Sequence, residues 1–395
     1  MLKELRLTNF KNFRNATLPL GPFTVLVGAN ASGKSNIRDA FRFLHGIGRG
    51  YNLAEILGEK HGEGGETVWR GIRGGINEIA FMGENKFNFD LSFEMENEKE
   101  ENYDIKINLN KKIENIILFK KSKNDINIKL KTIIDITEVI KSYDFKTEES
   151  RMKFENLMRL YPRNFYKITS SMRFLDLDPK AMRRPSIPGQ TILGDHGEYL
   201  SSVLHAICSD SHQKMIFLEW IKALTPMDAQ DFEFQADIEG KILLTLVEKS
   251  GKKISAHSAS DGTLRFLGLL AALLGPEPAK FYFFEEIDNG IHPTRLSLLL
   301  QLIESRVSST TLPPIQIVAT THSPQLLGLL SPQSREHVSA VYRLEGHEDA
   351  KIKRLMDIPQ AREVLETQNW AELHESGWIE NALFFTEPEA EESQE

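Results

Sequence analysis

Gly28-Ala29-Asn30-Ala31-Ser32-Gly33-Lys34-Ser35 is the stretch on which the reading of this chain turns. Its spacing fits G-x-x-x-x-G-K-[ST], and its surroundings are those the pattern requires. Before it, Phe23-Thr24-Val25-Leu26-Val27 is β-rich without polar alternation, which predicts a strand buried on both faces. After it, Ile37, Ala40, Phe41 and Leu44 recur at helical spacing, predicting a helix from Lys34 to about Leu44. Glycines let the backbone wrap close to phosphate oxygens, and successive N–H groups form an anion cradle at the positive end of the helix. The candidate nucleotide contacts are therefore Asn30, Ala31, Ser32, Gly33, Lys34, Ser35 and Asn36. Lys34 supplies a point charge to the β- and γ-phosphates, and the Ser35 hydroxyl is suited to ligate Mg2+.

A phosphate loop also needs a carboxylate to hold Mg2+ and a group to orient the attacking water. Phe281-Tyr282-Phe283-Phe284-Glu285-Glu286 offers both at the end of a buried strand. Glu285 is the metal candidate, directly or through water, and Glu286 the residue that polarises the nucleophile. Glu285 is one methylene longer than the aspartate usual at that place. About 25 residues earlier, Ser258-Ala259-Ser260-Asp261-Gly262-Thr263 leads straight into a helix. Ser260 is suited to cap it, and Gly262 to permit close backbone approach. Beyond the next buried strand, Ile315 to Thr320, His322 lies in Thr320-Thr321-His322-Ser323-Pro324.

This order of motifs resembles the ATP-binding-cassette (ABC) ATPases, in the non-transporter branch with RecF, SMC and OLD-family proteins. The likeness covers roughly residues 1–50 and 235–345, and extends to the opening Leu7-Thr8-Asn9-Phe10-Lys11-Asn12-Phe13 of small stand-alone ATPases. It implies an α/β fold, a mixed sheet around the phosphate-loop core with a β-rich and helical insert. It also implies a homodimer joined head to tail through two ATP molecules, with Ser260 and Gly262 reaching the γ-phosphate bound to the partner. Glu286 would be the catalytic glutamate and His322 the switch histidine. Asp288-Asn289-Gly290-Ile291-His292-Pro293 matches the stretch that crosses to the partner, and Lys11 falls where some relatives place a basic residue near the nucleotide. Asp261 and Thr263 stand where transporters carry Gly and Gln, and no equivalent of the Q-loop glutamine is evident. Relatives act in DNA repair, chromosome maintenance or anti-phage defence, often beside a TOPRIM-type nuclease. Fewer than 75 residues follow His322, so a nuclease would be a separate polypeptide. Asp176-Leu177-Asp178, the D-x-D of the chain, reads as a loop with no buried strand before it and Pro179 after it.

Composition bounds the alternatives. The chain has 395 residues, 41% of them hydrophobic and 26% charged, an ordinary globular balance. A single cysteine excludes a disulfide framework or cysteine-rich metal site, and the net charge of −8 excludes nucleic-acid binding by bulk charge alone. The longest apolar stretch, Phe266 to Gly275, is about half a bilayer span, and the start lacks a signal-peptide core. The expectation is a cytoplasmic protein without membrane contact. We expect an ATPase domain from residues 1–82 and 235–385, an insert over 83–234, and a disordered acidic tail at 386–395. The insert should open as a strand meander, from the alternation in Phe87-Asn88-Phe89-Asp90-Leu91 and Tyr103 to Leu109. Helices from about Glu148 to Leu160 and Glu198 to Ile207 should follow. Three functions fit in decreasing order: an ATPase switch acting with DNA or a nuclease, an assembly scaffold that barely hydrolyses ATP, and the ATP-binding subunit of a transporter.

Overall fold

Leu2, Leu5, Leu7 and Phe10 are all fully buried along strand β1 (Leu2–Phe10), which turns back antiparallel into β2 (Phe13–Pro19). β3 (Phe23–Val27) is buried at all five positions, as its unbroken apolar character requires. The computed structural model describes residues 1–65, 67–95, 100–110, 116–121, 128–131, 163–224, 229–359 and 362–386. The chain forms two compact units. The first takes Met1–Gly21, Leu26–Met172 and Ser339–Asp357; the second takes Pro22–Val25, Arg173–Val338 and Ile358–Glu395.

In the first unit, helix α1 (Lys34–Gly48) buries Ile37, Ala40, Phe41 and Leu44, the positions its periodicity selects. A short hairpin, β4 (Glu59–His61) with β5 (Thr67–Arg70), follows. Next come β6 (Lys86–Glu94), β7 (Glu100–Asn108), β8 (Ile116–Lys121) and β9 (Ile128–Lys131). These four are the meander expected of the insert, yet they extend the amino-terminal sheet, whose order is β2-β1-β6-β7-β8-β9. The reason is register. Pairing Leu7 with Phe89 and Leu5 with Leu91 puts the buried alternate residues of β1 and β6 on one face. Phe10, Phe43 of α1, Phe87 and Phe89 then interlock edge to face, with Phe10 and Phe89 at 5.0 Å and Phe43 at 5.4 Å from both Phe87 and Phe89.

The second unit contains β10 (Met172–Leu175), whose residues from Arg173 onward belong to it, and helix Leu200–Cys208, close to the expected Glu198–Ile207. An antiparallel sheet of β11 (Ala229–Ala236), β12 (Ile242–Glu248) and β13 (Lys253–Ser255) delivers the chain to helix α2 (Asp261–Leu274). β14 (Phe281–Phe284) pairs parallel with β15 (Gln316–Thr320), and helix Pro293–Val307 connects them. β16 (Val338–Tyr342) and β17 (Lys351–Arg354) complete a mixed sheet of order β10-β14-β15-β3-β16-β17. The expected helix at Glu148–Leu160 and the acidic tail lie outside the described residues. Among those described, no helix is long and apolar enough to cross a membrane. Burial pushes the thiol of Cys208 up to about 12, so it is un-ionised at neutral pH and unfit as a nucleophile.

The aromatic interlock ties the meander to α1. Phe89→Ala should lower the unfolding free energy by about 3–5 kcal/mol in urea titrations. A loss under about 1 kcal/mol would show that the cluster is not the core of this unit.

Candidate functional site

The phosphate loop leaves the buried end of β3 with Gly28 at φ 144°, Ala31 at φ 61° and Gly33 at φ 123°. Gly28 has a second reason to lack a side chain, because a Cβ there would run into the carbonyl oxygen of Val341. Gly33 precedes α1 without a capping side chain, and the first turn carries no acid. Its amide dipoles are therefore left to an anion from outside the helix. The Ser32 hydroxyl is buried and has no hydrogen-bond partner, as a group waiting for a phosphate oxygen would be. Lys34, only 7% exposed, donates its ammonium to the carbonyls of Gly28 at 2.6 Å and Ala29 at 2.8 Å. The charge is thus folded over the loop it serves. These residues fit a nucleotide phosphate.

A brace lies beside this loop in the same unit. Asp39 of α1 is 2% exposed and takes Lys11 at 3.4 Å and Arg73 at 3.2 Å. Arg73 also donates to the Ser35 carbonyl at 2.8 Å, and Lys11 to the Arg73 carbonyl. Lys11 is thereby matched by Asp39, placed where it braces the loop. Asn12 donates to the Ser32 carbonyl at 3.2 Å and accepts from Asn36 at 2.8 Å. A Cβ on Gly33 would sit 2.8 Å from its amide nitrogen. Neither Asn12 nor Arg73 was selected from the sequence. The signal for Asn12 was its place in the Asn9-to-Phe13 turn, where Asn9 and Lys11 both take positive φ.

The second unit gathers the other candidates. Glu285 and Glu286 follow fully buried β14, and His322 is exposed just beyond fully buried β15. Because these strands are parallel, with Phe284 opposite Ala319, the acids and the histidine emerge at neighbouring carboxyl ends. Glu286 adopts φ 46°, a conformation a non-glycine residue holds only when its surroundings impose it. Its N–H donates to Thr320 Oγ1 at 2.9 Å, and its carboxylate accepts from Asn289 Nδ2 at 3.0 Å. The side chain is exposed but aimed.

Ser260 caps α2 as expected, accepting from Thr263 N at 3.2 Å, and is itself exposed. Gly262 has a local reason for its identity that the sequence did not reveal. A Cβ there would lie 2.6 Å from the Gly290 carbonyl oxygen, so the start of α2 abuts the Asp288–Pro293 stretch within one chain. Arg183 donates to Asp261 at 2.6 Å and to the Ala259 carbonyl at 2.9 Å.

One sequence expectation needs correction. Asp176-Leu177-Asp178 does follow a largely buried strand, β10, which neighbours β14 in the sheet. Four residues interrupted by Arg173 carry no readable period, which is why the strand was missed. The segment is still a loop, and Asp178 caps the short helix Pro179–Met182 through Lys180 N at 3.0 Å. Among the described residues, no cluster of three or more His, Cys, Asp or Glu side chains is placed to hold a metal. The Ser35 hydroxyl, in the first unit, is the kind of ligand taken by an ion that draws most of its shell from phosphate and water, as Mg2+ does.

The model of the family described as AAA domain, putative AbiEii toxin, Type IV TA system matches residues 23–328. An ATP/GTP phosphatase of Helicobacter pylori is 22% identical over 350 residues, 85% of this chain and 89% of that protein. The DNA replication and repair protein RecF of Brucella abortus is 42% identical over 70 residues, 17% of this chain and 18% of its own. Among solved structures, the SmcHead bound to the C-winged helix domain of ScpA superposes with a TM-score of 0.54 at 17% identity. That match covers 89% of this chain and 96% of the other. The shared feature is the ABC-type ATPase fold.

Gly262→Ala gives opposed terms. Helix propensity favours alanine by at most about 1 kcal/mol, whereas forcing a methyl against a backbone carbonyl costs about 1–3 kcal/mol. The variant should therefore melt below the wild type by differential scanning calorimetry. An unchanged or higher Tm would remove the close contact with Gly290.

Proposed function

This chain belongs to the AAA-domain family described as putative AbiEii toxin, Type IV TA system, and on that premise we propose that it is an ATP-driven switch. It is an ATP-hydrolysing enzyme of the ABC type. The finer reading is that ATP joins two copies head to tail, and that hydrolysis separates them. In this reading Lys34 and the loop residues 30–36 hold the phosphates. Ser260 and Gly262 of a second copy close over the γ-phosphate, and Glu286 directs the attacking water while His322 senses the γ-phosphate. Mg2+, held by Ser35 and Glu285, would neutralise charge building on the β- and γ-oxygens. Lys11 supports the loop through Asp39.

The observation that carries this proposal is the backbone of Glu286. A carboxylate exposed at the end of a buried strand, in a strained conformation and fixed from both sides, has been positioned for a task beyond solubility. Closure of a second copy would exclude water around it and complete the site. The 70-residue likeness to RecF supports work on DNA, and the family description supports a defence role. The partner this reading invokes is a TOPRIM-type nuclease. The domain limits we propose keep 1–82 and 235–385 as the ATPase, with the 83–234 segment carrying the partner-specific task even though its strands β6–β9 continue the sheet of β1.

Phosphate release by Glu286→Gln should fall about 10^2-fold or more, the usual size of a general-base contribution, while ATP-dependent dimers persist in sedimentation velocity. Lys34→Ala should lose nucleotide binding altogether. Rapid hydrolysis by monomers, independent of protein concentration, would refute the switch. Negligible turnover in both wild type and Glu286→Gln would favour the scaffold.

A further inference from the structure

Arg183 stands where helix energetics would not put it. It lies at the amino-terminal end of α2, whose macrodipole is already positive, so a cation there opposes the helix. The placement is nevertheless firmly built. Met182, fully buried, sits in the notch left by Gly268 of α2: a Cβ on Gly268 would be 2.7 Å from Met182 Cε and 3.2 Å from Leu177. Asp178 caps the helix Pro179–Met182, and Arg183 is its last, C-capping residue. A single nitrogen, Arg183 Nη2, then reaches across Ser260 to Asp261 Oδ1 at 2.6 Å on one side and Ala259 O at 2.9 Å on the other. The arginine side chain is 25% exposed and the aspartate 68%, so the pair is open to an approaching ligand.

We propose that Arg183 is a positioning and charge-compensating residue of the Ser260 corner. It cancels the charge of Asp261 and pins the loop on both flanks of the serine, making an acidic signature compatible with the triphosphate carried by a second copy of this chain. The inference rests on the reading that Ser260 meets the partner's ATP. It explains why an aspartate is tolerated where a phosphate would be repelled: the loop and its arginine are neutral together. With the aspartate 68% exposed, the pair contributes little to stability as an ion pair.

The test uses the full chain with Mg2+ and a non-hydrolysable ATP analogue, reading by sedimentation the analogue concentration that gives half-maximal dimer. Arg183→Ala should raise that concentration about tenfold or more at low salt, as expected when one charge near the phosphates is left uncompensated, and less at high salt. Arg183→Lys keeps the charge and should stay within about threefold of wild type. Asp261→Asn alone should cost little, and in the Arg183→Ala background it should restore dimerisation. If Asp261→Asn is as damaging as Arg183→Ala, or fails to rescue it, Arg183 is only a structural tie and the proposal falls. Should Arg183→Ala fold poorly by thermal melt, the Asp261→Asn and Arg183→Lys variants decide by themselves. Ser260→Arg separates the two levels. Undiminished dimerisation by that variant removes the parent reading, whereas its loss alongside a neutral Arg183→Ala overturns the role of Arg183 alone.

Discussion

Backbone geometry at two glycines governs the phosphate loop. Gly28 meets the Val341 carbonyl, so no methyl group fits there, and Gly33, at φ 123°, holds a backbone conformation that a side chain would strain. With Ala31 also at positive φ, the loop is tightly bent, and neighbouring groups press it into place. Three neighbouring parts serve that shape. Buried β3 launches it, α1 receives it, and the Asp39 ion network holds Arg73 against the Ser35 carbonyl.

The second unit solves a different problem, which is to aim polar groups from the ends of apolar elements. β14 and β15 are buried along their whole lengths, and their parallel pairing brings Glu286 and His322 out at adjacent ends. Thr320 then fixes Glu286 through its backbone, and Asn289 fixes the carboxylate. The core determines where these residues stand; a few short hydrogen bonds determine where they point.

What the sequence disclosed follows from the range of the interactions. The phosphate loop, the buried strands, the Ser260 cap and the periodic face of α1 depend on neighbours within a few residues, and all were legible. The mixed α/β architecture followed from them. The meander strands were legible as strands, but their union with β1 was not, because register between residues 5–7 and 89–91 is invisible to local periodicity. Met172–Leu175 was too short to show a pattern. Arg183, Asn12 and Arg73 were missed for one reason: each acts on a backbone carbonyl or a carboxylate far along the chain. Gly262 is singled out by the sequence for close backbone approach, and the structure adds a neighbour within the chain, Gly290, that the spacing could not supply.

That last contact changes what counts as a transplantable part. The corner formed by residues 258–263 is shaped by Gly290 from one remote stretch and by Arg183 from another. Swapping in a transporter-type cassette, with glycine at position 261, would leave Arg183 bonded to the Ala259 carbonyl with its charge unmatched. The hexapeptide therefore keeps its native neighbours only when all three segments travel together.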